Sequence, residues 1–176
     1  IAGGCEMMSG YGRLAAETSP FVDSGNIHLR EMYGQSHQGL CADTIATIEG
    51  IPREALDQLA EVSQQRAAHA IENGYFDRSL VPVYHDDGSL ALDKDEFPRP
   101  GTTMESLGQL QPSFEKLTNM PLDEEGTTYA KLMAVKYPDV DVEHVHHAGN
   151  SSGVVDGAAA VLLASPDYAT KQGWKP

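Results

Sequence analysis

The stretch that most constrains this chain is residues 148–163, Ala-Gly-Asn-Ser-Ser-Gly-Val-Val-Asp-Gly-Ala-Ala-Ala-Val-Leu-Leu. A tight turn of small residues runs directly into an apolar run that reads as a strand buried on both faces. Small residues let the backbone approach another molecule closely, and Gly149 and Gly153 can take positive φ. Asn150, Ser151 and Ser152 bring short polar groups to the same turn. At the other end, Ile1 to Gly4 reads as the tail of a second buried strand entering a turn. Ile1 to Gly4 and Ala158 to Leu163 are both short, apolar and uncharged, so they are expected to pair in one sheet. Opening on Ile1 rather than Met adds the expectation that a segment precedes the chain.

Bulk properties narrow the function classes. The 176 residues suffice for one medium domain or a piece of a larger protein, and 40% hydrophobic with 22% charged residues is ordinary for a soluble globular chain. A formal charge of −14 argues against nucleic acid, although locally placed cations still allow an anionic ligand. No stretch is apolar and long enough to span a bilayer, and no basic-then-apolar leader pattern is present. The two cysteines, Cys5 and Cys41, form no metal-ligand spacing and no disulfide framework. They read as small buried residues in a reducing compartment, which makes the cytoplasm the expected location.

Between the ends, periodicity and punctuation predict a mostly helical middle. Residues 9–34, rich in Gly, Ser and Asn, read as irregular surface structure. Leu40, Ile45 and Ile48 predict a helix over 37–49 that stops at Gly50. Pro52 suits a helix start, with Glu54 and Asp57 near the positive end of the dipole. Leu56, Leu59, Ala60, Ser63, Ala67, Ala70 and Ile71 mark its apolar or small stripe, and Gly74 ends it. Residues 79–83 and 90–92 read as short strands around the Asp86-Asp87-Gly88 turn. A short helix is expected over 103–110 with Thr102 or Thr103 as cap, and Ser165 caps a last one with Pro166 at its first position. The acidic segment 119–142 reads as a surface excursion with a helix near 128–135.

Several segments resemble motifs of the thiolase family, in the family's order. Gly3-Gly4-Cys5-Glu6-Met7-Met8-Ser9 is similar to the G-G-x-E-x-M-S turn. Ser36-His37-Gln38-Gly39 stands where the family has H-x-G before a helix. Glu96 to Gly101 with Met104-Glu105-Ser106-Leu107 resembles the segment that carries the family's Arg and Ser. Leu110-Gln111-Pro112-Ser113-Phe114 resembles L-x-P-x-F, and residues 148–160 resemble A-G-N-x-S-G-x-x-D-G-A-A-A. Each motif alone is weak, and their shared order makes the resemblance specific.

The resemblance implies an α/β fold: two edge strands of an N-terminal core domain flanking an α+β loop domain that covers coenzyme A. The implied boundaries are 1–8 for the end of the core domain, 9–153 for the loop domain, and 154–176 for the returning core strand and helix. The family's ligand contacts fall on Leu29, His37, Arg99, Ser106, Phe114, Ala148 and Ser152. Arg99 offers a cation to the nucleotide end and Ser106 a hydroxyl to the adenine or ribose. Phe114 and Leu29 supply apolar surface, while Ala148 and Ser152 line the channel for the pantetheine amides. Taken without the motif order, Arg99 is a solvated surface arginine, His37 a hydrogen bonder at a helix start, and Phe114 and Leu29 core residues.

His144, His146 and His147 invite a metal reading, since alternation puts His144 and His146 on one face of an extended segment. Only Glu143 or Asp141 could complete such a shell, so packing and hydrogen bonding where the chain re-enters the core is the favoured reading, and no metal is assigned.

The family's chemistry needs a nucleophilic cysteine, an activating histidine and a second cysteine. The N-E-A-F, G-H-P and C-x-G-G-G motifs and the C-x-S/G-G-L context of the nucleophile do not occur in this sequence. Cys5 stands at a variable position of its turn and Cys41 in a helix, so no catalytic residue is assigned. The resemblance therefore implies an internal piece of a thiolase-like acyltransferase, inactive alone, with coenzyme A and acyl-coenzyme A as substrates rather than a permanent cofactor. It also implies a homo-oligomeric parent, with no nucleic acid and no membrane span. Two departures from the pattern stand out: residues 8–37 form a short connection, and residues 118–145 form a long one that places Phe114 in question. The alternatives are a ketoacyl synthase, against which the Glu96-to-Ser106 segment argues, and a non-catalytic coenzyme A or acyl-chain binding module.

Overall fold

A computed structural model describes residues 1–10, 21 and 23–175. They divide into two compact units, Ile1–Thr18 with Val154–Pro176, and Ser19–Gly153. Among the described residues, no helix is long and apolar enough to cross a membrane.

In the first unit, β1 (Ala2–Met7) pairs antiparallel with β4 (Asp156–Val161), in a register that runs from Ala2 opposite Val161 to Met7 opposite Asp156. Pairing is close because small residues face each other: a Cβ on Gly3 would stand 2.6 Å from the Ala159 carbonyl oxygen. Ser9 locks the open end, donating its N–H (2.8 Å) and Oγ–H (2.6 Å) to Asp156, which holds that carboxyl below its usual pKa. The helix α7 (Pro166–Lys171) starts as expected, with Ser165 accepting from the Tyr168 N–H. The expectation of buried strands does not hold within this chain. Every residue of both strands is exposed, and Ile1, Leu162 and Leu163 are open to solvent. A two-stranded ribbon has no layer of its own to cover either face.

The second unit is built on helices. In chain order after β1 come α1 (Ile27–Met32), α2 (Gln38–Glu49) and α3 (Arg53–Glu72). The hairpin β2 (Val83–Tyr84) and β3 (Leu90–Leu92) follows, then α4 (Met104–Gly108), α5 (Glu115–Thr118) and α6 (Tyr129–Ala134). Local caps explain why most boundaries were predictable. His37 caps α2, Gly50 ends it in the left-handed conformation, and Thr103 with Ser106 forms a reciprocal capping box on α4. Residues 79–82 are not strand, so the first expected strand shortens to Val83–Tyr84.

The core corrects two expectations. Its buried cluster is Phe21, Leu40, Leu122, Tyr129, Leu132 and Met133, with Val142 packed against it. Most of these residues come from 119–142, so that acidic stretch is not a surface excursion but supplies the apolar packing under α2. Its charges point outward while Leu122 and one face of α6 point in. Residues 9–34 are not uniformly irregular surface either. Phe21 and Asp23 are buried, and α1 is capped by Asn26. Arg30 donates to both Asp23 oxygens (2.7 and 2.8 Å) and lies 3.4 Å over the Phe21 ring, which holds the Asp23 carboxyl below its ordinary range. The part of that expectation covering 11–20 and 22 lies outside the described residues.

Candidate functional site

The helix α3 turns a polar stripe inward. Arg53, Asp57, Glu61 and Gln64 recur at helical spacing, and together they reach both ends of α4, the 147–150 turn and the Arg99 segment. Arg53 donates through Nη2 to the carbonyls of Leu107 (2.8 Å) and Leu110 (2.6 Å), at the end of α4. Asp57, 3% exposed, accepts from His147 Nε2 (2.8 Å) and Asn150 Nδ2 (2.9 Å). Glu61 accepts from the Met104 N–H, and Gln64 accepts from the Arg99 N–H at 2.7 Å. The expected apolar stripe is only partly covered: Leu56, Ala60, Ala67 and Ala70 are half-buried, while Leu59 is 66% exposed and Ile71 49%.

The turn 146–153 is fixed from two sides. Asn150 Oδ1 accepts from the His147 N–H (2.8 Å), and its Nδ2 also donates to the Val145 carbonyl (3.1 Å). His147, 1% exposed, accepts the Gly149 N–H on Nδ1 at 3.1 Å. With Nδ1 accepting, the neutral ring carries its proton on Nε2 and donates it to Asp57. Burial pushes the His147 pKa down, and the Asp57 charge offsets this in part. The fully buried Asp43 of α2 holds the preceding residues. It accepts from His144 Nδ1 and His146 Nδ1, both at 2.7 Å, and from the N–H groups of Val145 (3.1 Å) and His146 (3.0 Å). These histidines thus bond to aspartates where the chain re-enters the unit. Among the described residues, no group of three or more His, Cys, Asp or Glu is placed to hold a metal ion.

Gly149 and Gly153 do not take positive φ; close approach is what each position requires. A Cβ on Gly149 would lie 2.5 Å from Leu107 Cδ2 and 2.7 Å from Leu110 Cδ1. One on Gly153 would lie 2.3 Å from the Phe97 ring. Phe97 in turn stands beside Arg99, whose guanidinium is 5.6 Å from the ring centroid. The Arg99 backbone is pinned by Gln64 and by Thr102, whose N–H and Oγ–H both donate to its carbonyl, and the side chain is exposed.

The expected site residues fall into linked groups. Ala148 and Ser152 are exposed on the turn, and Ser152 with Ser151, Gln64, Ser63, Leu56 and Leu59 lines a cavity of ≈ 360 Å³. Arg99 is tied to the turn through Phe97 and Gly153. Ser106 is exposed on α4, where its Oγ donates to the Thr103 carbonyl (2.8 Å) and accepts from the Thr103 N–H (3.0 Å). A ligand at Ser106 therefore meets a remaining lone pair and not a free proton. Phe114 and His37 pack together, ring centroids 5.5 Å apart, and His37 meets the Tyr129 ring at 5.4 Å. Burial lowers the His37 pKa. A bond from the Ser113 N–H to the His146 carbonyl (3.0 Å) joins this aromatic group to the turn. Leu29 is half-buried on α1, and none of these contacts links it to the other six. Sequence reasoning missed Asp43, Arg53, Glu61 and Gln64 and gave Asp57 only a dipole role. The signal was the spacing of polar residues along α3, beside its apolar stripe.

Comparison with known proteins places these features in a family. The family model described as the thiolase N-terminal domain matches residues 1–167. The chain is 34% identical over 188 residues to an acetyl-CoA acetyltransferase from Thiocystis violacea, covering 100% of this chain and 41% of that protein. It is 36% identical over 150 residues to the mitochondrial 3-ketoacyl-CoA thiolase of Bos taurus, covering 84% of this chain and 31% of the relative. Human mitochondrial 3-ketoacyl-CoA thiolase, solved in complex with CoA, superposes with a TM-score of 0.61 at 28% identity, covering 99% of this chain and 39% of that one. The chain thus spans about two-fifths or less of the length of these relatives, 41% of the first. With a matching family model over nearly its whole length and a solved member of similar fold, this chain belongs to the thiolase family.

Proposed function

We propose that this chain supplies the coenzyme A-binding part of a thiolase-type acyltransferase. The whole protein transfers an acyl group between a cysteine thiolate and the coenzyme A sulfur, making or cleaving a 3-oxoacyl-coenzyme A. In this reading 9–153 is the body that covers the cofactor arm, and β1 with β4 belongs to the catalytic core. The cysteine and histidine machinery lies elsewhere in the parent, so the chain alone is catalytically silent. The parent is a homo-oligomer.

The observation that carries this reading is the convergence on α3. One helix face holds the Arg99 segment, the Ser106 helix and the Ala148–Ser152 turn, which are the segments that the family's motifs assign to coenzyme A. Their chemistry suits its parts. Arg99 is an exposed guanidinium on a rigid backbone, suited to phosphate in a chain of net charge −14. Ser106 can accept from an adenine amino group or a ribose hydroxyl. The cavity beside Ser152 is lined both by the apolar Leu56, Leu59 and Ala60 and by hydroxyl and amide groups, which suits an arm whose alkyl segments alternate with amides.

The test is a contrast in the full-length protein. Arg99→Ala is expected to weaken coenzyme A binding by about 1–2 kcal/mol, an effect that shrinks as salt rises. Ser152→Val is expected to reduce turnover more than affinity, because a branched apolar group displaces the thioester from the nucleophile. Calorimetry and thiolysis rates read the two. Unchanged affinity for Arg99→Ala at low salt, with full activity for Ser152→Val, contradicts the assignment.

A further inference from the structure

The turn that carries Ala148 and Ser152 is shaped by a buried imidazole that touches neither of their exposed faces. We propose that His147, fixed as the Nε2–H tautomer between Asp57 and the Gly149 N–H, is the positioning residue that holds this turn in its ligand-binding form. The inference rests on the coenzyme A reading above and deepens it. His147 acts through its neighbours and makes no ligand contact itself.

The geometry leaves the ring little choice. Nδ1 accepts the Gly149 N–H at 3.1 Å, and Nε2 meets Asp57 Oδ1 at 2.8 Å. Its own N–H is taken by Asn150 Oδ1 at 2.8 Å, so ring and backbone of one residue close both sides of the Ala148–Gly149 step. The ring is 1% exposed, and water cannot replace either bond without opening the turn. The charged and titratable groups around it are Asp57 and Arg53 of α3 and the adjacent His146, which is itself held by Asp43 of α2.

Protonation would break this arrangement. An imidazolium carries a proton on Nδ1, which would face the Gly149 N–H donor to donor. Burial, the Arg53 charge and His146 disfavour that form, while Asp57 favours it, and the net direction is a pKa below the ordinary 6.5. The turn therefore keeps its form above pH 6.5 and loses it as the pH falls through the lowered value, and coenzyme A affinity follows the turn.

Side-chain substitutions separate the two ring nitrogens. In His147→Asn, Oδ1 stands near the place of Nδ1 and accepts from Gly149 at any pH. In His147→Gln, the amide reaches Asp57 but offers nothing to Gly149. In the full-length protein, calorimetric titration with coenzyme A at about pH 7.5 is expected to show His147→Asn within about threefold of wild type, and His147→Gln weaker by about tenfold. Lowering the pH from about 7.5 to about 5 is expected to weaken wild type relative to His147→Asn, the ratio cancelling the titration of the ligand's own phosphates. If His147→Gln does not fold, the wild-type to His147→Asn ratio decides alone. Equal losses for Asn and Gln, or a ratio that stays flat with pH, overturn the proposal while leaving the coenzyme A reading standing. No coenzyme A binding by the wild-type protein at either pH overturns that reading instead.

Discussion

Replacing Asp43 by alanine is expected to destabilise the chain by about 3–5 kcal/mol, because it strands several buried donors that cost about 1–3 kcal/mol each. Asp43 is wholly buried and accepts from two imidazoles and two backbone N–H groups of residues 144–146. Alanine leaves all of those donors without the acceptor that they share. Asp43→Asn is the informative companion. It keeps the shape and one acceptor oxygen, but its NH₂ faces the donors that the second oxygen served. Urea unfolding should therefore rank wild type above Asn and Asn above Ala. A wild-type midpoint for Asp43→Ala contradicts the structural role assigned to this residue.

Leucines at helical positions separate the structure from the sequence pattern. Leu40 is 1% exposed at the centre of the cluster formed with Phe21, Leu122, Tyr129, Leu132 and Met133. Truncation to alanine removes its apolar contact and leaves a cavity, for an expected loss of about 2–5 kcal/mol. Leu59 lies on the stripe that periodicity assigns to the core, yet it is 66% exposed. Leu59→Ala in the 176-residue chain is expected to change stability by less than about 0.5 kcal/mol. Thermal unfolding of both variants checks the pair, and comparable losses would mean that α3 packs the other way round.

Much of the fold was legible because its boundaries are local. A cap residue, a proline at a first turn or a left-handed glycine acts within a few residues, so α2, α4, α6 and α7 could be read from neighbours alone. The β2–β3 hairpin was equally legible from Asp86-Asp87-Gly88. What escaped depends on contacts distant in sequence. Asp57 and Asp43 look like solvated helix charges until residues 144–150 arrive about a hundred positions later, 90 residues on for the pair of Asp57 and His147. Segment 119–142 looks like surface because its acidic residues are spread among its apolar ones without a clear period, although Leu122, Tyr129, Leu132 and Met133 join the cluster under α2. Gly149 and Gly153 were read for backbone freedom, whereas the rings and methyls of Phe97, Leu107 and Leu110 are what exclude a side chain there.

The site was legible in a different way. The residues expected to touch the ligand were identified by motif resemblance, while those that hold them, on the inner face of α3, carry no motif and became visible only as hydrogen-bond partners. That division is physically reasonable: contact residues are selected by the ligand's chemistry, and supporting residues by whatever geometry the turn happens to need.

The central claim is that coenzyme A lies along the segments gathered by α3. Backbone amide resonances of the 176-residue chain, followed through a titration with coenzyme A, test it most directly. The account predicts saturable shifts at residues 148–152 and around Arg99 and Ser106, with the Arg99 set reduced at high salt. Shifts confined to other surfaces, or none at saturating coenzyme A, would contradict it.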